Sequence, residues 1–391
     1  MTARPTARLD VDALIADPAT KVIVTCGSGG VGKTTTAAAI GLRAAESGRC
    51  VVVLTIDPAR RLAQSLGLTE LDNTPREVKG IEAADGGRLF AMMLDMKRTF
   101  DEVVAAHSTP ERAEQIYANP FYRSLSTSFS GTQEYMAMEK LSQLRAAMDP
   151  PPGTAVAEWD LVVVDTPPSR SALDFLDAPK RLGRFLDGRM IRLLAAPAKA
   201  GGLAYLKIVT ASFSVFTRIL SKILGTDLLS DVASFVSSLD TMFGGFRERA
   251  EHTYKLLKAP GTAFVVVASP EPDALREASF FVDRLSAEQM PLAGLVVNRM
   301  HGTAAPLSAA DALAAVRRLG APSGRDAQLA AAALQVHAEV SAAAATDERM
   351  VRRFGAAHPS VAVAQIPALP SDVHDVDGLR EVAWLLTTNV M

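Results

Sequence analysis

The sequence predicts a doubly wound α/β fold: a mostly parallel sheet with helices on both faces, carrying an inserted helical subdomain. Three observations lead there. Short β-branched runs recur at Val22–Cys26, Cys50–Thr55, Leu89–Leu94, Leu161–Val164, Phe264–Ala268, Leu292–Val297 and Val361–Ile366. Most are continuously apolar rather than alternating, the pattern of strands covered on both faces. Helical segments separate them, as crossover connections in a parallel sheet require. Finally, the run Gly27-Ser28-Gly29-Gly30-Val31-Gly32-Lys33-Thr34 follows the first strand and opens a helix.

The elements follow in order. Strand Val22–Cys26 delivers the chain to the glycine-rich run. The helix after it extends from Lys33 to about Ser47, and Gly48 ends it. Two later strands lead into aspartates, Asp57 and Asp165. Asp57-Pro58 also reads as a helix N-cap with proline at the first helical position. Asp165 also reads as a turn residue before Pro167-Pro168. Two long stretches lack strand signals, Lys97 to about Met148 and about Pro179 to Lys258. In the second, Leu228, Val232, Phe235, Leu239, Met242 and Phe246 form one helical stripe, and Val209, Phe213, Phe216, Leu220 and Ile223 another. The expected organisation is an N-terminal extension (1–20) and a core assembled from 21–96, 159–178, 262–300 and 360–391. A helical subdomain (97–150 and 179–260) and an alanine-rich helical insertion (301–359) complete it.

Composition narrows the class. Hydrophobic residues make up 48% of 391 and charged residues 21%, a globular balance. The net charge of -2 recommends neither nucleic acid nor an anionic membrane as partner. The two cysteines, Cys26 and Cys50, exclude a disulfide scaffold and a multi-thiolate zinc site within one chain. They fit a reducing cytoplasm, and both read as small buried apolar residues. Met1–Asp17 lacks the apolar core of a signal peptide. No stretch reaches the roughly 18 apolar residues of a membrane span; Leu203–Leu224 is broken by Lys207, Arg218 and Lys222.

The glycine-rich run satisfies the P-loop spacing, and its strand–loop–helix context is the one that motif needs. Glycines let successive N–H groups converge on phosphate oxygens. Lys33 supplies charge to the β- and γ-phosphates, Thr34 a hydroxyl for Mg²⁺, and the helix its positive end. Asp57 and Asp165 fall at carboxyl ends of strands, where such sheets bind ligands, so both are candidates to face phosphate and Mg²⁺.

Gly29-Gly30-Val31-Gly32-Lys33-Thr34-Thr35, Thr55-Ile56-Asp57-Pro58-Ala59 and Asp165-Thr166-Pro167-Pro168-Ser169 together resemble the deviant P-loop ATPases. The likeness is to their arsenite-pump (ArsA-like) branch, which includes the ATPase that guides tail-anchored proteins to membranes. Gly131-Thr132-Gln133-Glu134-Tyr135, Thr262–Val267 with Pro270-Glu271, Gly294–Asn298 and Pro367-Ala368-Leu369-Pro370 extend it over about Lys21–Leu386. The nearest look is to actinobacterial paralogues. The resemblance implies Mg-ATP hydrolysis coupled to motion of the helical subdomain, in a homodimer or a heterodimer with a paralogous ATPase. It implies that Gly29, Gly30, Val31, Gly32, Lys33, Thr34 and Thr35 hold the phosphates. Asn298 would contact adenine, and Pro367 and Leu369 would belong to the nucleotide-proximal loop. Thr34 would ligate Mg²⁺, with Asp165 and Asp57 reaching it through waters, and Asp57 would position the attacking water. Lys33, Asp57 and Asp165 are thus the expected catalytic set. The implied client is a membrane protein or an anion-linked partner, and the implied location is cytoplasmic, peripheral at the membrane through a partner.

This chain also departs from the pattern. Where the family carries a signature lysine that crosses a dimer like an arginine finger, it has Ser28. In switch II, Ser169 to Leu173, Arg170 replaces a glycine. Three readings follow: a heterodimer with a lysine-bearing paralogue, a slow switch-like ATPase, or a substitute cation among Arg60, Arg61 and Arg170. A catalytically weak regulatory or scaffold subunit is the alternative function. No cysteine set for arsenite and no Cys-x-x-Cys zinc clasp is present, so no zinc is expected. Long insertions and the absent basic excess oppose a DNA-partitioning ATPase. The positions of the cysteines oppose an iron–sulfur reductase. Met136, Met138, Met242 and Phe243 suit either a client groove or ordinary core. Asp372, His374, Asp375 and Asp377 read as a solvated loop capping the last helix.

Overall fold

In a computed structural model the described residues are 7–57, 61–83, 85–119, 122–123, 126, 132–150, 157–167, 251–303, 305–320 and 324–388. One eight-stranded sheet is built from β1 (Val22–Cys26), β2 (Cys50–Thr55), β3 (Arg76–Glu77), β4 (Arg88–Met93), β5 (Leu161–Asp165), β6 (Thr262–Ala268), β7 (Leu292–Met300) and β8 (Val363–Pro367). Their order is β3-β4-β2-β5-β1-β6-β7-β8, and only the β3–β4 pairing is antiparallel. The doubly wound, mostly parallel reading of the sequence therefore holds. The central strands are buried at every position of β1, β5 and β6, which is why they are uninterrupted apolar runs. β3 gave no such signal: Arg76 and Glu77 are polar, and Glu77 is tied to Arg88 of β4 by paired hydrogen bonds at 2.8 and 2.9 Å.

Ten helices lie wholly within the described residues. They are α1 (Val11–Ala16), α2 (Lys33–Glu46), α3 (Arg61–Ser65), α4 (Met96–His107), α5 (Pro110–Ala118), α6 (Thr132–Ala146), α7 (Pro272–Ala287), α8 (Ala309–Leu319), α9 (Arg325–Ala357) and α10 (Val376–Thr387). α2 is buried nearly all round because it packs on β1, β2 and β5 and under α10. Its alanines, 37 to 39, 44 and 45, let both layers approach closely. Arg380 of α10 grips Glu46 at 2.8 Å, joining α10 to the C-terminal end of α2. α1, invisible as a periodic pattern, is a short helix capped by Asp10, whose side chain accepts from the Ala13 amide.

The chain divides into two compact units. The first, Met1–Met93, Ala147–Ala172 and Leu257–Met391, holds the whole sheet. The second comprises Leu94–Ala146 and Leu173–Leu256. Within the second, Phe100 meets Tyr122 edge-on at 5.8 Å, and the Tyr122 hydroxyl donates to Asp101 at 2.5 Å. Met136 and Met138 are fully buried here, so they are core rather than groove lining. Met242, Phe243 and the two apolar stripes between residues 209 and 246 lie outside the described residues.

Candidate functional site

β1 runs between β5 and β6 and ends at Cys26. Gly27 then turns at φ 150°, and a Cβ there would lie 2.1 Å from the carbonyl oxygen of Val267 on β6. No side chain passes that contact. Gly27→Ala is expected to cost about 3 kcal/mol, whereas Gly30→Ala, at φ 79° in open space, should cost about 1. Thermal melts of the two variants check this ranking.

The loop closes on α2, whose N-cap is Gly32 at φ 94° with no side-chain cap. The first-turn amides are therefore left for an anion. Lys33 is buried, and its Nζ donates to the Ser28 carbonyl at 2.7 Å. Burial lowers its pKa, opposed by the fields of Asp165, Cys26 and Asp57. The Ser28 hydroxyl itself is buried with no hydrogen-bond partner.

The register sets Asp165 level with Thr25 of β1 and Thr55 of β2. Asp165 is fully buried; its Oδ2 accepts from the Thr34 hydroxyl at 2.7 Å and the Thr55 hydroxyl at 3.0 Å. Its Oδ1 has no partner. Burial pushes its pKa up to about 6, against the pull of the two hydroxyls and of Lys33. An orphaned carboxylate oxygen beside a threonine hydroxyl is a hard-oxygen donor set, and it fits Mg²⁺. Asp57 lies half-buried two residues past β2, close enough for its field to act on both Lys33 and Asp165. The Ile56 amide donates to the Asp165 carbonyl at 3.0 Å, drawing these strand ends together. Pro58, Arg60, Arg170 and the rest of switch II lie outside the described residues, as does the Arg61 side chain.

A cleft of about 390 Å³ opens beside the loop, lined by Thr34, Thr35, Asn298, Pro367 and Leu369 among others. Of the nominated phosphate residues, Gly32, Thr34 and Thr35 line this cavity together with Asn298, Pro367 and Leu369; Gly29, Gly30, Val31 and Lys33 do not. Gly29 and Gly30 are exposed at the loop crest, while Val31 is buried and offers the site only its backbone. The Asn298 carboxamide is anchored at both ends. Its Nδ2 donates to the Val31 carbonyl at 2.9 Å, and its Oδ1 accepts from the Arg299 amide at 2.9 Å.

Asp375 caps α10, accepting from the Gly378 amide at 2.8 Å, and Asp372 and His374 are solvent-exposed in the loop before it, as the sequence reading has them; both also border the cleft. One reading needs correction. Cys26 is buried, its thiol pushed up to about 12 by burial, whereas Cys50 is only half-buried and contacts the Glu158 carbonyl at 3.0 Å. Thr55 and Arg299 were missed. Thr55 shares an apolar strand with valines, and only the register exposes its role.

No helix among the described residues is long and apolar enough to cross a membrane. Residues 20–306 match the family described as anion-transporting ATPase. The ATPase get3 of Schizosaccharomyces japonicus is 25% identical over 292 residues, covering 73% of this chain and 76% of the relative. The ATPase get3 of Schizosaccharomyces pombe is 25% identical, covering 73% and 75%. The ATPase ARSA2 of Chlamydomonas reinhardtii is 26% identical over 283 residues, covering 72% and 68%. The matched span contains the glycine-rich loop, Asp57, Asp165 and Asn298, and the chain belongs to the anion-transporting ATPase family of ATP-binding ATPases.

Proposed function

We propose that the protein is an Mg-ATP-dependent ATPase that works as a dimer with a lysine-bearing paralogue, its hydrolysis coupled to motion of the helical subdomain. The observation that carries the Mg-ATP reading is the Thr34–Asp165 pair, with its orphaned oxygen, at the mouth of the P-loop. Thr34, with Asp165 and Asp57 through waters, would hold Mg²⁺, which when bound offsets phosphate charge. Lys33 leaves the Ser28 carbonyl to meet the β- and γ-phosphates. Asp57 orients the attacking water in line, a positioning role rather than strong-base chemistry. Residues 97–150 and 179–260 are assigned to the helical subdomain, and the protein to the cytoplasm, peripheral at a membrane through its partner. The client is a membrane-protein segment or an anion-linked partner. Thiolate capture of a soft metalloid is disfavoured by the burial of Cys26 and its raised thiol pKa.

The test is Mg-dependent phosphate release by the wild type and by Lys33→Ala. The variant is expected to fall by about 10²–10³-fold. The Ser28 hydroxyl, buried and unpartnered, favours a second reading, a nucleotide-binding regulatory or scaffold subunit. Equal background from both proteins, with and without a lysine-bearing paralogue, selects that reading.

A further inference from the structure

We infer that Arg299 is a nucleotide-positioning cation that binds the α-phosphate. The inference rests on the nucleotide reading above and adds a residue to it.

β7 and β8 pair in step from Leu295↔Val363 to Val297↔Gln365, then jump to Met300↔Pro367. β7 therefore carries one extra residue, a bulge at Asn298-Arg299. Bulges bend a strand and re-aim its side chains, and they concentrate beside active sites. Arg299 takes φ 63°, a left-handed backbone that costs a non-glycine residue about 1–2 kcal/mol. The other non-glycine residues described with positive φ are Asp85, in a turn, and Gln289, just past a helix end. Arg299 alone of the three lines the nucleotide cleft.

The strain is held in place. The Asn298 carboxamide clamps the Val31 carbonyl with one end and the Arg299 amide with the other. Gly32 is packed against the same amide: a Cβ there would meet Asn298 Nδ2 at 2.2 Å. P-loop and bulge are thus one rigid piece, and the Arg299 side chain projects from it. That side chain is exposed and faces the cleft beside Gly32, Thr34 and Thr35. Its guanidinium makes no hydrogen bond or ion pair among the described residues.

The position selects the phosphate. Lys33 reaches back toward Ser28, and neither residue lines the cleft, whereas Arg299 does, with Gly32, Thr34, Thr35 and Asn298. The β- and γ-phosphates are therefore assigned to Lys33 and the α-phosphate to the stretch of cradle that Arg299 lines. A guanidinium matches a phosphate with two parallel charge-assisted hydrogen bonds. Because the α-phosphate keeps its charge throughout hydrolysis, this contact holds ATP and ADP equally.

Titration of AMP, ADP, ATP and adenosine against the full chain tests the assignment. Arg299→Ala is expected to weaken AMP, ADP and ATP by one common factor of about 10–100 and to leave adenosine unchanged. KM should rise with kcat steady. Arg299→Gly should show the same loss of affinity while melting higher than Arg299→Ala, because glycine accepts the left-handed backbone. Wild-type affinity for ADP in both variants overturns the assignment and leaves the nucleotide reading intact. An equal loss for adenosine overturns it in favour of stacking on the base. A wild type that binds no nucleotide overturns both readings.

Discussion

Ser28→Lys is expected to raise steady-state ATP turnover by about 10³-fold, within the range over which cationic fingers act on phosphoryl transfer. Position 28 lies in the loop crest, where its carbonyl holds Lys33 at 2.7 Å and its hydroxyl has no partner. The serine thus contributes geometry through its backbone and no charge through its side chain. A lysine there is several ångströms longer and, in the proposed dimer, would carry a full positive charge toward the facing protomer. The gain should therefore grow with protein concentration, as two copies come together. Adding a lysine-bearing paralogue to the wild type should produce a comparable rise from one lysine per pair. Phosphate release at saturating Mg-ATP measures both. A wild type that already turns over as fast as Ser28→Lys, with nothing added, removes the case for a missing charge.

Legibility divided along physical lines. Strands buried on both faces were readable because burial imposes an apolar run, as in Leu161–Val164. β3 was not, since a two-residue edge strand has no core side to declare. The loop glycines were readable as a motif, but the reason for Gly27 is a carbonyl more than two hundred residues away. Asp57 and Asp165 were readable from their places after strands. That Thr55 would share Asp165 with Thr34 depends on the β2–β5 register, which no local pattern encodes. Asn298 was nominated for the base, and lines the cleft, but its amide is engaged by the P-loop; the bulge responsible leaves no mark in Val296-Val297-Asn298-Arg299. Asp372 and His374 read as solvent-facing and are exposed, but that their loop also borders the cleft depends on tertiary packing that polarity does not encode.

Asp165→Asn is expected to abolish most hydrolysis, by about 10²–10³-fold, and yet to melt above the wild type when no ligand is present. The sign follows from the direction of the shift. Burial raises the folded-state pKa from the ordinary 3.8 to about 6, so the folded protein holds this proton more tightly than the unfolded chain. The stability that proton contributes is complete below about pH 3.8 and lost as pH rises through 6. At pH 8 the ionised carboxylate therefore burdens the ligand-free fold by about 3 kcal/mol. Asparagine keeps an oxygen for the Thr34 and Thr55 hydroxyls and places a neutral amide where Oδ1 now has no partner. Its advantage should be at most about 4 °C at pH 8 for a chain of 391 residues and should shrink at pH 5. With Mg-ADP the order should reverse, because a bound cation repays the buried charge only where that charge exists. Melting curves at the two pH values, with and without Mg-ADP, separate the terms. A difference independent of pH, or an asparagine variant that Mg-ADP stabilises as much as the wild type, contradicts the account. A carboxylate that weakens the ligand-free fold and strengthens the Mg-ADP-bound one acts for its ligand rather than for the fold.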